Sequence, residues 1–599
     1  MIDPIPPAFF FLFGAWLIPL LKGKIKQVYL LLIPALALID LSLLQPGTHW
    51  VYPFLSYSLT FLQVDRLSII VGLIFVLIGF LALLYALQVR EDGQHVAAFL
   101  YIGSSLGVVF AGDFFSLFIF WEIMALTSVF LVWYRKEKAS LDAGFRYILM
   151  HAFGGGCLLA GIVIHYHVQG TLAVRPLGTD LASILILTAF GLNTAFLPLH
   201  TWLPDAYPEG TVTGSVFLSV YTTKTGVYVL ARCFPGGEGI ALMGGAMAVY
   251  GVIFALLQND VRRLLSYHIV SQVGYMVAGV GIGTELGING GIAHVFNHIL
   301  YKALLFMCMG AVIFQTGKRK LTELGGLAGK MPVTTITCIV AALSISGAPG
   351  FNGFVSKGLV IMAAVEKDLP WLELMLILAS VGTFLSFAKL CYFTFFAKNE
   401  AMEAEEAPVP MQFAMAITAF LCVFIGVYPQ SLYQILPFSA AGYHAYAPYH
   451  GLGVIQLFLL AGLVFILARR QFAPHPGTAL DFDYFYRLGG RLLLWFCTDV
   501  LNAARLSWQK QAGRVVKGAV QFSRDPLRLP EGAFKHLELK ISQGTNPRSG
   551  HEVEALRSKL KEFQGRRAYD ENFYRKPIGI GVFMALFLFF ILSLIYLKG

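Results

Sequence analysis

Several ionisable side chains stand where an apolar chain should not hold them. Glu122 closes the run DFFSLFIFWE, nine residues beyond Asp113, so a helix would carry it to mid-membrane depth. Lys224 sits in YTTKTGVY, too far from either end of its apolar run to snorkel to water. Lys357 follows a Gly/Pro-rich interruption in SGAPGFNGFVSK. His294, His298 and Lys302 recur at intervals of four in AHVFNHILYKALLF, which places them on one helix face. A charge at the bilayer centre costs at least about 2.5–3.5 kcal/mol, so each group asks for a reason. Burial shifts carboxyl, ammonium and imidazole groups toward their neutral forms, which lets them gain and lose protons. The chemistry on offer is proton transfer along a buried line. Each group also has a plainer reading: a hydrogen-bonding glutamate between helices, a lysine in a fixed ion pair, a lysine at a wet helix end, and a stripe of polar packing. Zinc would need a third ligand beside the two histidines, and none stands at a suitable spacing. His268, in SYH, is a weaker member that also reads as a core histidine.

The elements that must position these groups are membrane helices. Of 599 residues, 57% are apolar and only 13% charged, about half the charged share of a soluble domain. Apolar runs long enough to cross a bilayer recur from end to end, as at 68–87, 144–164 and 578–597. The expected fold is an all-α polytopic membrane protein of about 16 spans. The seventh span (181–208) holds Pro198 and Pro204, and the twelfth (332–367) holds SGAPGFNG, so both should be broken. Broken helices at membrane depth are tolerated where they line protein or water. Two of them, five spans apart, point to two inverted five-helix repeats.

The net charge of +10 is distributed as short clusters between spans: Lys22–Lys26, Arg90, Arg135–Lys138, Arg262–Arg263, Lys318–Lys320 and Arg469–Arg470. All fall on one side when the spans are numbered, which makes that side cytoplasmic and puts the N-terminus outside. No aromatic-interleaved basic patch calls for nucleic acid. The seven cysteines are scattered without a CxxC pair, and no cofactor or cluster is expected. The first apolar run reads as a retained helix, not a cleaved signal.

The expected organisation is N-terminal helices over 1–94, a first repeat over 95–233, a second over 240–397, and further spans over 411–470. Residues 471–577 form a cytoplasmic segment and 578–599 a last helix. Within that segment 487–522 alternates apolar and basic residues as an amphipathic helix would, 523–550 reads as a loop, and 551–567 as a charged helix.

Six stretches then carry a resemblance: FFSLFIFWEIMALTS, FLPLHTWLPDAYPEGTVTGSV, TTKTGVYVLAR, LLSYHIVSQVGYM, AHVFNHILYKALLF and GAPGFNGFVSKGLV. The chain resembles the antiporter-like membrane subunits shared by respiratory complex I, membrane-bound hydrogenases and Mrp-type cation/proton antiporters, the Mrp D subunit above all. The resemblance covers roughly residues 60–400. It implies a fourteen-helix core with two inverted repeats and a hydrated polar axis. It matches Glu122 to the family's glutamate on the fifth helix, Lys224 to the Lys or His of the eighth, and Lys357 to the Lys or Glu of the twelfth. Many members carry a lysine on the seventh helix where this chain has Asn193, in GLNTAFLPLH, so Glu122 is left to use Lys224, or water and His200. The stretch DFDYFYR (481–487) also resembles segments that follow the core in Mrp-type chains.

The expected function is proton translocation within a multisubunit membrane complex of other membrane subunits, with Na⁺ or K⁺ as a counter-ion in the Mrp setting. The rival is a scaffold chain that conducts weakly or not at all and docks its partners. No Walker loop, Rossmann fingerprint or cluster-binding cysteines appear, so any redox chemistry belongs to other chains of an NADH:quinone oxidoreductase-like or hydrogenase-like complex.

Overall fold

The structure is a computed structural model that describes residues 4–55, 57–399, 402–440, 442–475, 477, 479–524, 528–544, 550–565 and 578–596. The chain divides into two units, 1–483 and 484–599.

The first unit opens with α1 (Pro7–Gly14) and α2 (Gly23–Leu43). One local element is not helical: a β-hairpin, β1 (Gly47–Phe54) with β2 (Tyr57–Val64), pairs Gly47 with Val64 and Phe54 with Tyr57. Thr60 N donates to Asp113 Oδ2 at 2.6 Å and Gly112 N to Thr60 O at 2.9 Å, so the hairpin is anchored on the start of the fifth helix. Then come α3 (Arg66–Tyr85), α4 (Asp92–Phe110), α5 (Phe114–Trp133), α6 (Lys138–Gln169) and α7 (Leu181–Asn193). An irregular stretch leads to α8 (Trp202–Ala206), α9 (Val212–Leu218) and α10 (Tyr221–Cys233). The rest of the unit is α11 (Glu238–Leu257), α12 (Val261–Ile282), α13 (Glu285–Thr316), α14 (Pro332–Ser346), α15 (Asn352–Glu366), α16 (Pro370–Cys391), α17 (Val409–Val427), α18 (Gln430–Tyr433) and α19 (Pro448–Leu467). Aspartates cap four of these helices: Asp65, Asp113, Asp180 and Asp260 accept from the first-turn amides of α3, α5, α7 and α12. A carboxylate there satisfies free N–H groups and meets the positive end of the helix dipole.

Among the described residues nine helices are long and apolar enough to cross a membrane, and five shorter apolar helices accompany them. The two remaining expected spans fall short for an instructive reason. One, 211–233, is split between α9 and α10 and carries Lys224; the other is α12, made polar by Arg262, Arg263, Ser266, His268, Ser271 and Gln272.

The breaks expected near Pro198 and Gly347 are present. Gly347 closes α14 at φ +89°, a conformation that suits glycine. A third break, between Leu218 and Tyr221, was not expected.

Three of the basic clusters form ion pairs with carboxylates of neighbouring loops. Lys26 pairs with Asp92 at 2.5 Å, Lys136 with Glu91 at 2.6 Å, and Arg135 with Glu209 at 2.7 Å. Arg319 bridges Glu209 at 2.9 Å and Asp260 at 2.7 Å. These ions knit together the loops that the span count assigned to a single side.

The second unit holds most of α20 (Asp483–Trp495), then α21 (Asn502–Arg524), α22 (Arg528–Gly544), α23 (Gly550–Gly565) and α24 (Ile578–Tyr596). A π-turn at Phe496–Leu501 joins α20 to α21, and the expected amphipathic stretch lies within them. The loop expected over 523–550 is corrected by α22. Its Pro530 sits in the first turn, where proline displaces no helical hydrogen bond. Residues 525–527 and 545–549 of that stretch lie outside the described residues.

Candidate functional site: a buried basic axis

The third break positions Lys224. The lysine stands in the first turn of α10, is fully buried, and its Nζ donates to Ser219 O at 2.5 Å. Splitting the span releases that carbonyl from helical bonding, and the ammonium takes it up. Lys357 repeats the device more loosely. It lies in α15, is 4% exposed, and its Nζ is 3.5 Å from Ser346 O at the end of α14 and 4.8 Å above the Tyr275 ring.

Helix α13 supplies the middle of the axis. His294, His298 and Lys302 are all fully buried. His294 Nδ1 is 3.0 Å from Ser356 Oγ on α15, while Nε2 is 3.2 Å from Tyr301 OH and 3.3 Å from Gln272 Oε1 on α12. The His298 ring centre is 6.3 Å from that of His294 and 5.3 Å from that of Tyr301. Among the described residues neither nitrogen of His298, nor Lys302 Nζ, has a hydrogen-bond partner. Lys302 Nζ lies 5.9 Å from the Phe387 ring centre, and the fully buried His268 ring packs 4.6 Å from the same phenyl. Electrostatic coupling joins these groups. His298 senses Lys224, Lys302, His294 and Lys357; His268 senses Lys302 and Lys357; Lys302 senses Lys224. His268, the weaker reading from sequence, belongs to the connected set.

Glu122 stands apart. It is half-buried in α5 with Oε1 unpartnered, packed against Gly155 of α6, where any Cβ would collide with the carboxylate. Among the described residues no charged side chain couples to it, and Lys224 is turned to Ser219, so the direct Glu122–Lys224 pairing left open by the sequence is not formed. Asn193 closes α7, buried, facing His151 of α6. His151 packs 4.2 Å from the Tyr147 ring and 4.7 Å from Trp202, and Tyr147 OH pairs with Ser128 Oγ of α5 at 2.8 Å. His200 is fully buried and meets Asp481, with Nε2 at 3.2 Å from Oδ1.

Sequence reading missed several members. His151 sits in an apolar run and was findable by the rule that found Lys224. Gln272 and Ser356, which orient His294, gave no signal without a structure. Buried Lys389, near the end of α16, donates to Leu256 O at 2.7 Å and Gln258 O at 3.0 Å. Among the described residues no three His, Cys, Asp or Glu side chains converge to hold a metal.

Fold and site together define a polytopic helical membrane protein with a line of buried basic groups beside broken helices. Residues 111–386 match the family described as NADH:quinone oxidoreductase/Mrp antiporter, TM. An uncharacterised protein of Methanocaldococcus jannaschii is 31% identical over 350 residues, 54% of this chain and 73% of that one. The Na⁺/H⁺ antiporter of Alkalihalophilus pseudofirmus offers two relatives, its A and D subunits. The first is 30% identical over 64% of this chain and 54% of its own length, so the chain spans about half of it; the second is 29% identical over 55% and 72%. A chain of the membrane-bound sulfane sulfur reductase, an archaeal respiratory membrane complex, superposes with a TM-score of 0.68 at 26% identity, over 87% of this chain and 95% of that one. The chain belongs to this family and is an antiporter-like, multi-pass membrane subunit.

Proposed function

We propose that the chain carries protons across the bilayer along Lys224, His298, Lys302, His268, His294 and Lys357, with Glu122 as a protonatable group at one end. The observation that carries this reading is the set of fully or almost fully buried basic groups, Lys224, His298, Lys302, His268, His294 and Lys357, with both end lysines beside helix breaks. Like charges in one low-dielectric line cannot all be ionised, so a proton gained at one raises the cost at the next and drives it onward. Imidazoles with unpartnered nitrogens and lysines held by single carbonyls suit such a relay, with water bridging the steps. Residues 95–233 and 240–397 then act as the two inverted repeats, with the basic face cytoplasmic and the N-terminus outside, in the inner membrane. Relatives in antiporters and in a respiratory complex support a place among other membrane subunits, with Mrp-type exchange of Na⁺ or K⁺ for H⁺ as the favoured setting and the D-like role within it.

A second reading, a weakly conducting scaffold that mainly docks partners, is favoured by one observation: among the described residues Glu122 has no ion-pair partner. The test is proton movement in inverted vesicles holding the intact complex, followed by a pH-sensitive dye. Lys224→Ala and Lys357→Ala should abolish most of it and Glu122→Gln should reduce it. Wild-type rates in all three, with the complex assembled, would favour the docking role.

A further inference from the structure

Asp481 lies in the first unit, just before the amphipathic helix, yet its side chain is only 3% exposed. Burying a carboxylate is costly unless it is paired and hydrogen-bonded. Two hydroxyls donate to it: Tyr250 OH of α11 to Oδ1 at 2.5 Å and Tyr267 OH of α12 to Oδ2 at 2.5 Å. The His200 imidazole adds a close polar contact, its Nε2 standing 3.2 Å from Oδ1. The Phe482 amide also donates to Oδ1 at 2.5 Å. Burial alone would push this carboxyl up, but the contacts with His200, Tyr250 and Tyr267 outweigh it and hold it down at about 2. These contacts favour its ionised form. Among the described residues, Arg263 acts on Tyr267 and Asp483 on Tyr250.

The three partners come from different places. His200 belongs to the irregular stretch after α7, and Tyr250 and Tyr267 to two helices of the second half. Two residues beyond His200, Trp202 packs on His151, which faces Asn193. One residue beyond Tyr267, His268 belongs to the basic axis. One buried carboxylate thus touches neighbours of the polar groups in both halves. We propose that Asp481 is a positioning residue, an anion supplied by the segment after the core that clasps His200 to α11 and α12 and holds the polar group at the end of α7 in register with the axis at His268. Its importance for transport rests on the proton-path reading above; its mechanical part does not.

The experiment uses the full chain in its complex, with Asp481→Asn, His200→Asn and the double variant. Assembly is followed on native gels, transport in inverted vesicles, and amide hydrogen exchange over residues 194–206 by mass spectrometry. If Asp481 acts through His200, each single variant should lower transport by about tenfold and the double should be no worse than either. Exchange over 194–206 should rise in Asp481→Asn and stay unchanged in Lys224→Ala. Multiplying losses in the double variant, wild-type transport in Asp481→Asn, or unchanged exchange would each overturn the proposal. Should Asp481→Asn fail to assemble, Tyr267→Phe removes one hydroxyl from the clasp. It should raise exchange over 194–206, and wild-type exchange there would count against the clasp. Wild-type transport in Lys224→Ala would instead remove the proton path and leave the exchange result to decide the clasp.

Discussion

The two lysines beside broken helices solve one problem in two ways. Lys224 is sealed: it is fully buried and held at 2.5 Å by Ser219 O. Lys357 has room: its carbonyl partner is 3.5 Å away, the Tyr275 ring lies beneath it, and it lines a cavity of about 340 Å³ with Ser346, Gly347, Phe354 and Ile361. In both, breaking a helix releases a carbonyl that an ammonium can use. The difference is access. On the proposed path a sealed lysine would pass its proton only to its neighbours on the axis, whereas a lysine beside a cavity would exchange with whatever enters.

That contrast can be broken experimentally. Lys224→Ala should cost the most, about a hundredfold in proton movement, the lower end of what a positioned proton-transfer group contributes. Lys357→Ala should cost less, about tenfold, and a small alkylamine added to the vesicles should restore part of the rate by occupying the cavity. No amine should rescue Lys224→Ala; equal rescue of both would erase the distinction. Gly155→Ala should follow with a several-fold loss, because the added methyl displaces the Glu122 carboxylate; a wild-type rate would show that its placement is unimportant. Tyr275→Leu removes only the ring beneath Lys357 and should change the rate by about two- to threefold. The smallest effect concerns pH. The Asp481 carboxyl is depressed in the folded state, so the clasp's contribution is fully present above about pH 4 and is lost as the pH falls toward 2. Exchange over 194–206, corrected for intrinsic rates, should therefore rise as the pH falls from about 4 toward 2. A flat profile across that range would show that the charge on Asp481 does not hold the clasp.

Much of this was legible from single residues breaking a rule. Lys224, Lys357 and the His294–His298–Lys302 stripe were visible because a charge or repeated imidazole interrupts an apolar run. The breaks near Pro198 and Gly347 announced themselves through proline and glycine. The break before Lys224 did not, since VFLSVYTTK holds neither residue and its contacts are tertiary, the Thr222 amide donating to Tyr101 OH of α4 at 3.0 Å. The β-hairpin hid for a related reason: its register depends on Asp113 and Gly112, which sit after the next two helices. Helix α22 was lost to a proline that its first turn tolerates. Glu122 was placed on its helix correctly, but its isolation from Lys224 is a matter of which way two helices turn. The Asp481 contacts were beyond reach for the same reason, although the DFDYFYR stretch had drawn notice.

The central claim is that one coupled line of buried basic groups conducts, and His298 is its hub. The most direct measurement is proton movement by the intact complex carrying His298→Phe, which keeps an aromatic ring and removes both nitrogens. The expected result is a loss of at least about tenfold with normal assembly on native gels. A wild-type rate would contradict the claim and send the search for the proton's route elsewhere in the core.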